Sequence, residues 1–130
     1  MEFLEQNLAN YIVAHTSESA ILLQELERET NLKVLMPRMI SGHFQGRVLS
    51  MLSKMIRPKN ILEIGTYTGY SALCLAEGLL PDGQLLTIDI NAELSDLVQK
   101  YFQKSDYKNQ LNYINANAME YLKNMEGLFD

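Results

Sequence analysis

After Pro58 the spacing of the apolar residues changes, and this change constrains the fold more than any other feature of the sequence. Short apolar runs at residues 61–64, 85–88 and 111–115 predict three strands. Helical segments separate the runs, one from about Gly69 to Glu77 and one after Asp89 that carries an apolar stripe. Strands joined by helices imply parallel pairing with right-handed connections. We therefore expect an α/β fold, the first βαβαβ half of a Rossmann-like, doubly wound parallel sheet.

Residues 1–57 predict helices that precede the sheet. The first has an apolar stripe, and the second begins another stripe after the capping-prone Thr16-Ser17. Pro37 predicts irregular backbone over residues 31–38, and a third helix should run from Ser41 or Gly42 until Pro58 ends it. The stripes that we expect these three helices to bury are Phe3, Leu4, Leu8, Tyr11 and Ile12; Ile21, Leu22, Leu23 and Leu26; and Val48, Leu49, Leu52, Met55 and Ile56.

The last residues, Phe129-Asp130, predict the start of a fourth strand. In a doubly wound order that strand would pair with the first one. The strand at residues 61–64 would then have an open edge within this sequence.

Composition limits the classes of partner. Sixteen acidic and eleven basic residues give a net charge of -5, which disfavours nucleic acid and favours a small-molecule substrate. No apolar run is long enough to span a membrane, and the first residues lack a signal-peptide pattern, so we expect a cytoplasmic protein. The single cysteine, Cys74, lies in an apolar run that predicts a buried thiol, and His15 and His43 are too far apart to indicate a local zinc site.

The segment from Glu63 to Ser71 lies at a predicted turn from strand to helix, where Gly65 permits a sharp turn and Gly69 permits close approach of a ligand to the helix start. The pattern is Glu-x-Gly-x-x-x-Gly, so a carboxylate stands where the dinucleotide fingerprint has its first glycine. A carboxylate there would repel a pyrophosphate, but it suits a ligand that carries an ammonium and a sulfonium group. NAD is therefore disfavoured.

Asp89 ends the second predicted strand, twenty-four residues after Gly65. This offset is close to that of the ribose-binding acid in Rossmann-like sites. The alternative is an acid that only stabilises the start of the next helix beside Asn91. Together with the Glu63 motif, the spacing favours the ribose role.

Two segments, Glu63-Ile-Gly-Thr-Tyr-Thr-Gly-Tyr-Ser71 and Thr87-Ile-Asp-Ile90, resemble the cofactor-binding core of the S-adenosylmethionine-dependent O-methyltransferases of the catechol and caffeoyl-CoA type. The resemblance covers residues 30–130, the N-terminal part of that family, and Met39-Ile-Ser-Gly-His-Phe-Gln-Gly46 resembles its loop over the methionine end of the cofactor. It implies a single domain over residues 1–130. Residues 1–57 would form helices and a cofactor-covering loop, and residues 58–130 the first half of the cofactor-binding domain.

The resemblance also implies roles for individual residues. Glu63 would hold the methionine ammonium group, Ser71 the carboxylate and Asp89 the ribose. Ile90 would pack on adenine, with Asn117 and Ala118 near the adenine amino group, although the family often has Asp-Ala there. Gly65 and Tyr67 would line the turn, and Met39 and Ser41 would contact the cofactor largely through their backbone.

In the family, a divalent cation such as Mg²⁺ holds the acceptor, and its ligands and a catalytic lysine lie beyond the position of Asp130. The resemblance therefore implies no catalytic and no metal-binding residue in this chain, which alone should be inactive. It implies methyl transfer to a hydroxyl of a small catechol-like or phenolic acceptor, and a homodimer. The alternative is a non-catalytic nucleoside-binding or interaction module that retains only half of the fold.

Overall fold

The computed structural model describes residues 4–130, so Phe3 of the first predicted stripe lies outside the described residues. None of the helices in this range combines the length and the apolar character needed to cross a membrane. Short 3-10 turns cover Pro37–Met39 and Ala92–Leu94. The main elements in chain order are α1 Gln6–His15, α2 Ile21–Lys33, α3 Gly42–Ile56, β1 Asn60–Ile64, α4 Tyr70–Ala76, β2 Gln84–Asp89, α5 Ser95–Lys104, β3 Leu111–Asn115 and α6 Ala118–Leu122.

The three strands form one parallel sheet in the order β1-β2-β3. Ile64 pairs with Ile88, and Asp89 pairs with Asn115, so the carboxyl ends of the strands meet at one edge. The predicted βαβαβ order is confirmed, and each predicted strand lies within a residue or two of its observed bounds.

The core lies between one face of the sheet and helices α2, α4 and α5. Alternate strand residues point into it, because successive side chains of a strand face opposite sides. Cys74 is fully buried in this core as a free thiol, as predicted. The largest contributors are Leu26, Tyr70, Leu73, Leu85, Val98, Tyr101 and Phe102.

The stripe predicted for burial on α3 is wrong in its C-terminal half, although Leu49 packs against the core and Val48 is half-buried. Leu52 and Ile56 are exposed and Met55 is 74% exposed, whereas the small residues Gly46, Ser50 and Ser53 of the same helix are buried. These small side chains let α3 approach α4 closely. A Cβ atom at Gly46 would lie 2.7 Å from the Tyr70 ring, and one at Gly78 would lie 2.2 Å from the backbone of Ser53.

Two expectations about the N-terminal helices are also wrong. No residue of α1 is buried, so its apolar stripe does not face the core. Helix α2 begins at Ile21 after Ala20, and the Thr16 hydroxyl instead donates to Ile12 O at the end of α1. The same helix continues through residues 31–33, because Pro37 restricts only the backbone immediately before it.

Asp130 lies beside the start of β1. Its N–H donates to Asn60 O at 2.9 Å, and its carboxylate accepts from the N–H groups of Lys59 and Asn60 at 2.8 and 3.0 Å. The chain therefore reaches the edge of β1 at the place predicted for a fourth strand. Beyond Asn60 the backbone of β1 has no partner strand on that side among residues 4–130.

Candidate cofactor site

A cleft of about 280 Å³ opens at the carboxyl edge of the sheet. In parallel α/β sheets this edge is where ligands bind, because the loops after the strands converge there. The cleft brings together five of the predicted site residues, Gly65, Asp89, Ile90, Asn117 and Ala118. It is also lined by Ile64, Ile88, Ala116 and Met119, which sequence reasoning did not assign to the site.

The turn after β1 has the sharp backbone that the sequence predicted. Gly65 has φ +94°, its N–H donates to Ile88 O at 2.8 Å, and no atom lies within 4 Å of where its Cβ would be. The space beside Gly65 is therefore open to a ligand. Gly69 has φ +90°, and a Cβ there would lie 2.8 Å from the Phe102 ring, so its close neighbour in this structure is Phe102.

Three further predicted site residues, Glu63, Tyr67 and Ser71, do not line this cleft. Glu63 precedes the lining residue Ile64 on β1, and its carboxylate is only partly satisfied. Its Oε1 accepts a short hydrogen bond from the Ser71 hydroxyl, while its Oε2 is buried with no hydrogen-bond partner. Burial raises the pKa of Glu63, the hydroxyls of Ser71 and Thr87 oppose this shift, and the negative charge of Asp89 adds to it. An unpaired buried carboxylate oxygen fits a ligand that brings a positively charged donor.

Ser71 is hydrogen-bonded to Glu63, another residue of the predicted site. Its hydroxyl proton is committed to Glu63 in this structure. A hydroxyl carries a single proton, so Ser71 can donate to a ligand carboxylate only after it releases Glu63. The structure thus brings Glu63 and Ser71 together.

Asp89 holds two segments of backbone. Its Oδ2 accepts from Tyr67 N–H at 2.7 Å, and its Oδ1 accepts from Asn91 N–H at 2.9 Å. Asn91 in turn caps the following 3-10 turn through Glu93 N–H. Asp89 therefore does stabilise the backbone at the start of the next helical turn, as the alternative to ribose binding proposed. Each of its carboxylate oxygens still has a lone pair that can accept from a further donor, such as a ribose hydroxyl.

The far side of the cleft is apolar. Ile90 is 70% exposed and Met119 is 73% exposed, and both line the cleft. Asn117 caps α6, because its side-chain oxygen accepts from Glu120 N–H at 3.3 Å. The Asn117 oxygen can accept a second hydrogen bond. Together with the apolar side chains of Ile90 and Met119, it suits a flat apolar ring that has a polar edge.

Met39 and Ser41 lie outside this cleft, on the segment between α2 and α3. Tyr67 joins that segment to the turn, because its hydroxyl lies 3.2 Å from Leu35 O and 3.1 Å from Met36 O. The phenol is half-buried, and burial raises its pKa. The turn and the predicted covering segment are therefore in contact.

The residues that sequence reasoning missed follow from the register. Ile64 and Ile88 form the last pair between β1 and β2, so both lie at the carboxyl edge. Met119 lies in the first turn of α6, two residues after the cap Asn117. Pairing the predicted strands from their carboxyl ends could have identified Ile64 and Ile88; nothing in the sequence singles out Met119.

The cation implied by the family does not fit the side chains described. Among residues 4–130, no three or more His, Cys, Asp or Glu side chains cluster as metal ligands. We therefore derive no step through a cation from these residues.

The sequence is similar to those of known methyltransferases. Residues 13–128 match the profile of a family described as O-methyltransferase. The chain is 39% identical over 92 residues to caffeoyl-CoA O-methyltransferase of Pinus taeda, covering 66% of this chain and 36% of the pine protein. It is 31% identical over 126 residues to caffeoyl-CoA O-methyltransferase 1 of Eucalyptus globulus, covering 89% of this chain and 51% of that protein.

Among solved structures, the SAH-bound methyltransferase PaMTH1 of Podospora anserina superposes with a TM-score of 0.88 at 26% identity. The superposition covers 95% of this chain and 53% of that one. The chain thus spans about half or less of the length of these relatives. Because the family profile extends over nearly all of the sequence and the fold agrees with it, the chain belongs to the O-methyltransferase family.

Proposed function

We propose that this chain binds S-adenosylmethionine as the cofactor-binding half of an O-methyltransferase. The observation that carries the proposal is the buried, unpaired Oε2 of Glu63 at the same edge of the sheet as Asp89. Two carboxylates at one binding edge favour a ligand that is positively charged at one end and rich in hydroxyl donors in the middle. S-adenosylmethionine has both properties.

Each part of the cofactor has a counterpart among the residues. Glu63 receives the ammonium group, and Ser71 turns from Glu63 to the carboxylate. Asp89 accepts from the ribose hydroxyls. Adenine packs between Ile90 and Met119, with its amino group near Asn117 and Ala118. Gly65 and Tyr67 line the turn, and Met39 and Ser41 approach through their backbone.

The reaction we propose is methyl transfer to a hydroxyl of a small catechol-like or phenolic acceptor. When bound, the cofactor supplies a methyl group on a positively charged sulfur. The residues of this chain bind and orient it, so that an acceptor oxygen can be aligned with the methyl group. Residues 58–130 provide the cofactor site and residues 1–57 the helices and covering segment. For the whole protein we propose a homodimer in the cytoplasm.

Titration calorimetry tests the choice of cofactor. We expect S-adenosylmethionine and S-adenosylhomocysteine to bind the purified chain and NAD not to bind. Binding of NAD without binding of S-adenosylmethionine would refute the proposal. Adenosine alone distinguishes the alternative, because a module that recognises only nucleosides would bind adenosine as tightly as S-adenosylmethionine.

A further inference from the structure

The segment from Leu35 to Met39 exposes most of its side chains, whereas Ile40 directly after it packs against the core. Leu35 is 87% exposed, and Met36 and Met39 are also exposed. The segment has hydrogen bonds of its own, from Met39 N–H to Met36 O and from Ile40 N–H to Pro37 O, which shape it but do not fix its position on the protein. The contact that joins it to the cofactor turn is the hydroxyl of Tyr67, shared between Leu35 O and Met36 O.

Backbone geometry is unusual at both ends of this contact. Tyr67 has φ +50° and Met36 has φ +55°, and only three non-glycine residues in the described range 4–130 have positive φ. Left-handed backbone is unfavourable for such residues and persists only where surrounding contacts hold it. Here the hydrogen bond of the phenol holds Met36, while Asp89 holds the backbone N–H of Tyr67 at 2.7 Å.

A continuous chain of contacts therefore runs from Asp89 through Tyr67 to the segment before α3. We propose that Tyr67 is a positioning residue that ties residues 35–41 to the cofactor turn, so that binding of the cofactor at Asp89 and closure of this segment stabilise each other. This inference rests on the proposed function for its cofactor. The tether itself does not, since it consists of contacts within the protein.

The test uses Tyr67→Phe, which removes only the hydroxyl, and Tyr113→Phe as the matched control. The Tyr113 hydroxyl bonds Ser95 at 3.0 Å on α5, away from the turn. Hydrogen exchange of the Met39 and Ile40 amides is measured without ligand. We expect it to be about fivefold faster in Tyr67→Phe, the fold-change that corresponds to one ordinary hydrogen bond, and unchanged in Tyr113→Phe. Equal exchange at these amides in Tyr67→Phe and the wild type would overturn the tether.

The second measurement is the dissociation rate of S-adenosylhomocysteine. We expect it to rise about fivefold in Tyr67→Phe and to stay constant in Tyr113→Phe, whatever change in melting temperature the two variants show. A merely structural role of the hydroxyl would lower the melting temperature without this difference in rate. Faster exchange with an unchanged dissociation rate would overturn the coupling, because the segment would then not cover the cofactor.

The wild type provides a measurement that needs no variant. Saturating S-adenosylhomocysteine should slow the exchange of the Met39 and Ile40 amides, because coupling between two sites is reciprocal. Binding without this protection would contradict the coupling. Absence of binding to the wild type would refute the proposed function and the coupling with it, while the exchange of the unliganded variants would still decide the tether.

Discussion

At Glu63 the demands of folding and of binding oppose each other. The carboxyl is buried beside Asp89 with one oxygen unpaired, and its pKa is raised chiefly by burial. A carboxyl whose folded pKa is raised binds protons more tightly in the folded state than in the unfolded state. Its contribution to stability is therefore fully present below the unfolded pKa of about 4.3 and is lost as pH rises through the raised value.

Replacing Glu63 with Gln should separate these two effects. We expect Glu63→Gln to remove this pH-dependent loss, so that the wild type loses more stability than the variant between pH 4 and neutrality. Cofactor affinity should fall by about 1.5–3 kcal/mol, the range for a hydrogen bond to a charged group. Urea unfolding at several pH values and calorimetry measure the two quantities, with the exposed Glu126→Gln as control. Parallel stability curves for Glu63→Gln and the wild type would contradict the prediction.

Asp89 has a structural role in the turn, and we propose a binding role for it as well. Asp89→Ala removes two acceptors of backbone N–H groups and the acceptor proposed for ribose. We expect a folded protein whose affinity for S-adenosylmethionine is lower by about 1.5–3 kcal/mol. Circular dichroism checks the fold and calorimetry the affinity. Unchanged affinity in a folded variant would mean that Asp89 serves only the turn and the cap.

Among the elements, α3 shows most clearly how small residues decide packing. Gly46, Ser50 and Ser53 form its buried face, and the two serine hydroxyls there have hydrogen-bond partners. Ser50 donates to the Glu77 carboxylate at 2.6 Å, and Ser53 donates to Leu75 O at 2.6 Å. Arg47 also reaches Glu77 at 2.6 Å, and these partners hold the pKa of the Glu77 carboxyl at about 2 in spite of its burial.

The close approach of α3 to α4 predicts that one methyl group added at Gly46 changes the free energy of unfolding. In Gly46→Ala the new Cβ would lie 2.7 Å from the Tyr70 ring and 2.8 Å from Cys74 Sγ, both in the core. Overpacking costs about 1–3 kcal/mol, whereas alanine gains about 1 kcal/mol over glycine within a helix. We expect a net loss of about 1 kcal/mol in urea unfolding, with the exposed Gln45→Ala within about 0.5 kcal/mol of wild type. A more stable Gly46→Ala protein would show that α3 can move away from α4 at little cost.

At the scale of the whole molecule, the exposed apolar surface of α3 and the edge of β1 bear on self-association. Leu52, Met55 and Ile56 are exposed, and β1 has a partner strand on only one side within residues 4–130. Exposed apolar patches and unpaired strand edges both promote association. We expect a protein of these 130 residues to self-associate.

Light scattering after size exclusion tests this association. Changing Leu52, Met55 and Ile56 together to Gln should lower the average mass without lowering the melting temperature, because these side chains are exposed. Leu128→Gln, at an exposed position outside α3, is the control and should have little effect. Association that persists unchanged in the triple variant would assign it to the strand edge instead.

The same protein should not turn over catechols when supplied with S-adenosylmethionine and Mg²⁺. The family places its cation ligands and its lysine beyond the position of Asp130, and residues 4–130 contain no ligand cluster of His, Cys, Asp and Glu. A methyl-transfer assay with radiolabelled cofactor measures this. Turnover that depends on Mg²⁺ would reveal a catalytic site among these residues, and His43 and the acids near the turn would be examined first.

The order of strands and helices could be predicted from the sequence because it depends on local patterns. Apolar runs of strand length, the stop at Pro58, and the positions of Gly65 and Asp89 directly at the ends of two such runs are all read from neighbouring residues. The family resemblance likewise follows from one continuous segment.

Three features could not be predicted from the sequence. They are the buried face of α3, the hydrogen bond between Ser71 and Glu63, and the contact between Tyr67 and Met36. Each depends on side chains brought together by the fold from distant parts of the chain or from neighbouring elements. An apolar stripe shows only that a helix can bury one face; the distance to the neighbouring helix decides whether large or small side chains fit there. The sequence alone therefore determined the architecture and the position of the cofactor edge, while tertiary packing decided which polar groups have partners.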